Sequence, residues 1–152
     1  MAKLADAPAL GAGDRKVLGV RVSPRAFRNK NMKIYFGHSK KLNFKEELYC
    51  TIRESKLNSE HEIIFPHESE NAFSTKDIIK TCDIMIAEVS FPSTGLGIEL
   101  GWADSFGRSI ICVYQKGAKM SGSLKLVCNN IIEYKDDKDL IDELDQILNR
   151  KI

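Results

Sequence analysis

The run Ala87-Glu88-Val89-Ser90-Phe91-Pro92-Ser93-Thr94-Gly95-Leu96-Gly97-Ile98-Glu99-Leu100-Gly101 holds the densest set of residues in this chain that are able to do chemistry. Gly95 and Gly97 let a backbone approach a ligand, Ser93 and Thr94 offer hydroxyls, and a helix that follows aims free N–H groups at the same place. That combination suits an anion. Glu99 falls in the first turn of the expected helix, flanked by Ile98, Leu100 and Trp102. An acid in a first turn complements the helix dipole. Glu88, at the end of an apolar run, reads either as a satisfied buried acid or as a group that orients Glu99 or binds a hydroxyl.

The elements that must position these groups follow from periodicity. Lys33 to Phe36 is a short β-prone run that ends at Gly37-His38-Ser39. Asn43 can cap a helix from Phe44 to about Lys56, with Phe44, Leu48 and Ile52 one stripe apart. His61 to Phe65 predicts a second strand closed by Pro66, Thr75 to Cys82 a short helix, and Asp83 to Val89 a central, nearly continuous apolar strand. Helical spacing resumes from Gly97 to Phe106 and stops at Gly107. Ser109 to Tyr114 predicts a fourth strand, Lys119 to Val127 a loop with one helical turn, Ile131 to Tyr134 a fifth strand and Asp139 to Asn149 a last helix. Strands alternating with helices at this spacing imply one α/β domain: a doubly wound, flavodoxin- or Rossmann-like, five-stranded parallel sheet. In such folds ligands bind beyond the carboxyl ends of the strands. Function is therefore expected at residues 37–42, 66–73, 90–101 and 115–123.

The stretch from Asp83 to Gly101 resembles the signature of the nucleoside 2-deoxyribosyltransferase family, including the branch that hydrolyses 2′-deoxynucleoside 5′-monophosphates. There an Ala-Glu-Val strand end precedes Pro-Ser-x-Gly-x-Gly-x-Glu-Leu-Gly. The opening Tyr35-Phe36-Gly37-His38-Ser39-Lys40-Lys41 is similar to the family's first strand and phosphate-side loop, with His38 where glycine is common and Lys41 where arginine is. The resemblance spans nearly all of residues 32–152. It implies that Glu99 attacks the anomeric carbon of deoxyribose through an oxocarbenium-like transition state and a covalent deoxyribosyl ester. It further implies that Gly37, Ser39, Lys41, Ser93, Gly95 and Gly97 surround the sugar and its 5′ end. Ser121 or Ser123 then corresponds to a serine supplied by a neighbouring subunit, so a homodimer or higher homo-oligomer is expected. His67 and Glu68, after the second strand, are placed to contact the base. The family's aspartate in the helix before the third strand corresponds without a gap to Thr75. The nearest acid, Asp77, is displaced by about 200° around a helix and serves only if the preceding loop is rearranged. The expected activity is cleavage or exchange of the N-glycosidic bond of a 2′-deoxynucleoside or its 5′-monophosphate, with no cofactor. The alternatives are a non-catalytic nucleotide-binding module of the same fold and a flavodoxin-like electron carrier, although the first loop lacks a Ser/Thr-rich phosphate cradle.

The bulk composition agrees with one such domain. Of 152 residues, 43% are hydrophobic and 29% charged, with a net charge of +2. The first thirty residues carry Lys3, Arg15, Lys16, Arg21, Arg25, Arg28 and Lys30 against Asp6 and Asp14, so the remainder is slightly acidic and gives no electrostatic case for nucleic acid or membrane. No apolar run reaches the length of a membrane span. Cys50, Cys82, Cys112 and Cys128 are too scattered for a metal motif or a disulfide framework, and they read as reduced residues of a cytoplasmic protein. Residues 1–31 have no apolar period. Gly19-Val20-Arg21-Val22-Ser23 is encodable by a run containing the T-arm signature of a transfer RNA, and Pro8-Ala9 and Ala12-Gly13 by complementary stems around a leucine anticodon. The segment therefore reads as an unstructured, spurious extension read through from a leucine transfer-RNA gene, with Met32 the expected start of the domain.

Overall fold

The computed structural model describes residues 31–68 and 74–150. The expected extension, apart from Asn31, lies outside them. The elements run β1 (Lys33–His38), a π-helical turn (Lys45–Cys50), α1 (Thr51–Glu54), α2 (Lys56–Glu60), β2 (Glu62–Ile64), α3 (Thr75–Thr81), β3 (Ile84–Glu88), α4 (Thr94–Ser105), β4 (Ser109–Gln115), a 3₁₀ segment (Gly122–Leu126), β5 (Asn130–Tyr134) and α5 (Asp137–Leu148). The sheet has the order β2-β1-β3-β4-β5 and all four pairings are parallel. The chain is thus a single α/β domain with the doubly wound five-stranded sheet that the alternation of elements implies. It winds from β1 outward to β2, then returns to place β3 on the other side of β1. That reversal makes the β1/β3 boundary the switch point.

Side-chain alternation along each strand divides the core into two layers. Ile34, Phe36, Ile84, Ile86, Ile111 and Val113 face Leu48, Ile52, Leu57, Leu140 and Leu144, on the side of α1, α2 and α5. Tyr35, Met85, Ala87, Ile110 and Cys112 face Ile79, Leu96, Leu100 and Ala103, on the side of α3 and α4. α5 is the most clearly amphipathic helix, and Asp136 caps it by accepting from the Asp139 N–H at 2.9 Å.

Three expectations are corrected. The helix expected from Phe44 to Lys56 is broken. Its first part winds as a π-turn that buries both Leu48 and Tyr49, and Ser55 is extended (ψ 164°), its Oγ donating to the Ile52 carbonyl at 2.7 Å. The cause is in the apolar spacing. Leu57 follows Ile52 by five residues, off the stripe of a continuous helix, and the break at Ser55 restores it to the core, where it is fully buried. β1 runs two residues beyond Phe36, because Gly37 and His38 pair with Ala87 and Glu88. α4 starts at Thr94 rather than Gly97 because Ser93 acts as its N-cap, its Oγ accepting from the Leu96 N–H at 3.5 Å. Gly107, at φ +66°, ends that helix where expected. Cys82, Cys112 and Cys128 are buried free thiols and Cys50 an exposed one. No helix among the described residues is long and apolar enough to cross a membrane.

Candidate active site

A cleft of about 590 Å³ opens over the carboxyl ends of β1 and β3. His38 to Lys41, following β1, form one bank, and Pro92 to Leu96, following β3, form the other. His67 and, from α4, Glu99 also line it. Residues from three of the four expected loops therefore meet at the switch point.

Because α4 begins at Thr94, Glu99 sits in its second turn, and no acid occupies the first. Dipole complementation falls off within the first turn, so that explanation of Glu99 is removed. Leu96, Leu100 and Ala103 turn to the core and carry Glu99 to the edge of the buried face. Helical side chains lean toward the N-terminus, which aims the carboxyl at the cleft. Burial pushes the Glu99 pKa up to about 7, opposed by the hydroxyl of Tyr35. Tyr35 is fully buried, and its Oη makes no hydrogen bond of ordinary geometry within the protein. Burial first, then the Glu99 charge, raises its own pKa. Gly37 provides the space above it. A Cβ at Gly37 would lie 2.8 Å from Leu96 Cδ1 and Met85 Cε and 3.1 Å from Glu99 Oε2. Gly37 thus seats the carboxylate from below.

The turn after β1 and the start of α4 offer groups suited to an anion. Ser39 is 2% exposed and its Oγ accepts from the Lys41 N–H at 3.2 Å, which shapes the turn after β1. Ser93 and Gly95 face that turn from the start of α4, where the first N–H groups have no partner in the helix. Lys40 and Lys41 add positive charge at the rim.

His38, Phe44 and Tyr49 carry more structure than the sequence suggested. The His38 ring is stacked on Phe44 (centroids 4.3 Å apart), and Nε2 lies 2.6 Å from the Tyr49 hydroxyl while Nδ1 lies 3.1 Å from the Ser39 carbonyl. Burial lowers the His38 pKa, so the ring is neutral. The two partners then assign it as the Nδ1–H tautomer, donating to Ser39 and accepting from Tyr49. Strand alternation was the available signal: Tyr35 and Gly37 fall on the α4 face, and His38 falls on the opposite one.

Other expected site residues lie elsewhere. Glu88 does not line the cleft and cannot orient Glu99 from across the sheet. It shares the alternation of Ile84 and Ile86, on the face opposite α4, and accepts from Ser90 Oγ, from the Ser90 N–H at 3.3 Å and from Tyr134 Oη at 3.2 Å. Burial raises its pKa. Asp77 is exposed in the first turn of α3 and is not part of the cleft. Ile79, two residues on, points into the core, so Asp77 points about 200° away from it. The loop at 69–73 that would have to rearrange lies outside the described residues. Glu68 is held by Arg53 through a bidentate pair rather than offered to the cleft. Gly97, Ser121 and Ser123 line a second, more apolar groove of about 580 Å³ together with Val89, Phe91, Leu100 and Val127. It shares Pro92, Ser93, Thr94 and Leu96 with the first, and neither serine lines the cleft that holds Glu99. Among the described residues no group of three or more His, Cys, Asp or Glu is arranged to hold a metal ion.

No family model matches the chain. The fold aligns with the Clostridium botulinum CMP N-glycosidase at a TM-score of 0.57 and 26% identity, covering 76% of this chain and 99% of that one. A conserved protein from Enterococcus faecalis V583 aligns at a TM-score of 0.52 and 17% identity, over 77% and 99% of the two chains, which is a likeness of fold alone. In sequence, 63 residues are 35% identical to the 5-hydroxymethyl-dUMP N-hydrolase of Mus musculus, which is 40% of this chain and 34% of that protein. The match thus spans about a third of the curated relative.

Proposed function

We propose that this protein cleaves the N-glycosidic bond of a nucleotide, with Glu99 as the nucleophile that forms a covalent deoxyribosyl ester, as in the nucleoside 2-deoxyribosyltransferase family and its 5′-monophosphate hydrolase branch. The observation that carries this reading is the Glu99 carboxyl itself: largely buried, raised to about 7, and aimed into a cleft whose far end is lined by Ser39, Ser93, Gly95 and the start of α4. A sugar laid between the two ends brings its anomeric carbon to the carboxylate and its 5′-phosphate to the N–H groups and Lys41. The carboxylate stabilises the oxocarbenium-like transition state and then takes the sugar covalently. Both named relatives, a CMP N-glycosidase and a 5-hydroxymethyl-dUMP N-hydrolase, support hydrolysis as the outcome.

The reading extends to domain and assembly. Residues 32–152 form the functional unit and work as a homodimer, because Ser121 and Ser123 flank a groove apart from their own Glu99. Exposed Phe91 and Leu126 line that groove. A monomeric mass by light scattering with full activity contradicts the dimer.

The exposed position of Asp77 favours a second reading, a nucleotide-binding module without turnover. One experiment separates the two. The full chain is incubated with each deoxynucleoside, deoxynucleotide and CMP, with and without a second free base, and the products are separated by chromatography. Free base alone means hydrolysis and a new nucleoside means transfer. Binding without either product supports the module. Glu99→Gln must abolish release while retaining ligand; near wild-type turnover in that variant removes Glu99 from the mechanism.

A further inference from the structure

Breaking the bond between the anomeric carbon and a base leaves an electron pair on the base, and an unactivated base departs only when a proton meets it. The described residues of the cleft offer few sources. Glu99 is committed as the nucleophile, and Lys40 and Lys41 stand in the turn at the anion end. Asp77 is exposed on α3 and does not line the cleft. His38 has Nδ1 on the Ser39 carbonyl and Nε2 on Tyr49. His67 remains. It lines the same cleft as Glu99, and its ring is steadied by Phe44 (5.5 Å) and by the edge of His38 (5.5 Å). Neither of its ring nitrogens is engaged by another described residue.

On the reading of Glu99 given above, we propose that His67 is the general acid and base of the reaction, delivering the proton to the departing base and later taking one from water. In the first half, a Glu99 carboxylate oxygen bonds to the anomeric carbon while the C–N bond breaks. The imidazolium proton passes to the base atom that receives the electron pair, so the base leaves neutral and His67 becomes neutral. In the second half, water attacks the anomeric carbon and its proton passes to His67. The sugar–Glu99 bond breaks and the carboxylate returns. The sum is nucleotide plus water to free base plus sugar phosphate, with both residues restored.

The groups facing His67 are His38 from β1, Lys40 from the turn after it, Tyr49 from the π-turn and Glu99 across the cleft. Burial and then Lys40 lower its pKa, and an anionic substrate offsets Lys40. Catalysis needs His67 protonated and Glu99 ionised. Its rate therefore falls on the alkaline side as His67 loses its proton, and on the acid side as Glu99 gains one.

The test uses the full chain and His67→Gln on dUMP and on its 5-fluoro and 5-nitro analogues, whose bases leave with progressively less need of a proton. The variant is expected to lose about a hundredfold on dUMP, to approach wild-type rates on the 5-nitro substrate, and to lose the alkaline limb of the pH profile. Melting at the wild-type temperature shows that it folds, and His67→Asn repeats the comparison. An equal loss on all three substrates, or no loss, overturns the role of His67 while wild-type turnover leaves Glu99 standing. No base release by the wild type from any nucleotide overturns the underlying reading and this inference with it.

Discussion

Tyr35 lies against Glu99, its buried hydroxyl facing the carboxyl from the strand below and without a hydrogen-bond partner of ordinary geometry in the protein. The hydroxyl favours the ionised form of Glu99, which burial disfavours more strongly. Tyr35→Phe removes only the opposing influence. The Glu99 pKa should then rise above about 7, so that ionised Glu99 beside protonated His67 becomes rarer and the maximum of the activity profile drops. Below about pH 4.5 stability should change little, because no well-formed hydrogen bond is lost and an unpaired buried hydroxyl goes with it; above about 7 it should fall with the further rise of the Glu99 pKa. A maximum that stays at the wild-type height would separate Tyr35 from Glu99.

The same carboxyl makes the fold sensitive to pH. Its folded pKa, about 7, lies above the ordinary 4.5, so between those values the native state holds more protons than the unfolded chain. Stability must then fall as pH rises through that window. Its contribution is fully present below about 4.5 and lost above about 7. Glu99→Gln escapes this loss. The variant should melt several degrees above wild type at pH 8 and level with it at pH 4, the difference amounting to at most about 3 kcal/mol. A gain independent of pH contradicts a buried, titrating Glu99.

The sheet was legible because its strands alternate or run continuously apolar and its helices are separated by clear stops such as Gly107. The meeting of the first and third loops was legible through the switch-point rule alone. The division of the site between two faces was harder to see. Glu88 and Glu99 flank one loop of the chain, yet strand alternation sends Glu88 beneath Tyr134 while α4 carries Glu99 over Tyr35. The start of α4 was misplaced because Gly95 and Gly97 look like loop residues, and the Ser93 cap outweighs their weak helix propensity. Ser121 and Ser123 enter the expected site through resemblance alone, and nothing in their local pattern ties them to a cleft.

Gly37 is a position where one methyl group decides the site. The added carbon of Gly37→Ala meets Leu96 Cδ1 and Met85 Cε, both at 2.8 Å, and Glu99 Oε2 at 3.1 Å. The two apolar ends can rotate away at about 1–3 kcal/mol. The carboxylate must move with them. Activity should fall by at least about a hundredfold, as expected for a displacement of this size, while the protein still folds. Full activity in a folded Gly37→Ala variant would show that the carboxylate has room the structure does not suggest.

Ser93 combines two roles that substitutions can separate. Its Oγ caps α4 by accepting from the Leu96 N–H, and the residue lines the anion end of the cleft opposite Ser39. Ser93→Ala removes both, and should lower stability by about 1 kcal/mol as well as raise KM. Aspartate is as good a cap as serine but places a negative charge where the substrate phosphate is to sit. Ser93→Asp should therefore melt near wild type yet bind a 5′-monophosphate far more weakly, with the neutral nucleoside much less affected. Titration of both ligands against both variants, read beside their melting curves, checks this. If Ser93→Asp binds the monophosphate as tightly as wild type, the phosphate does not lie at the start of α4, and the orientation of substrate in the cleft must be reversed.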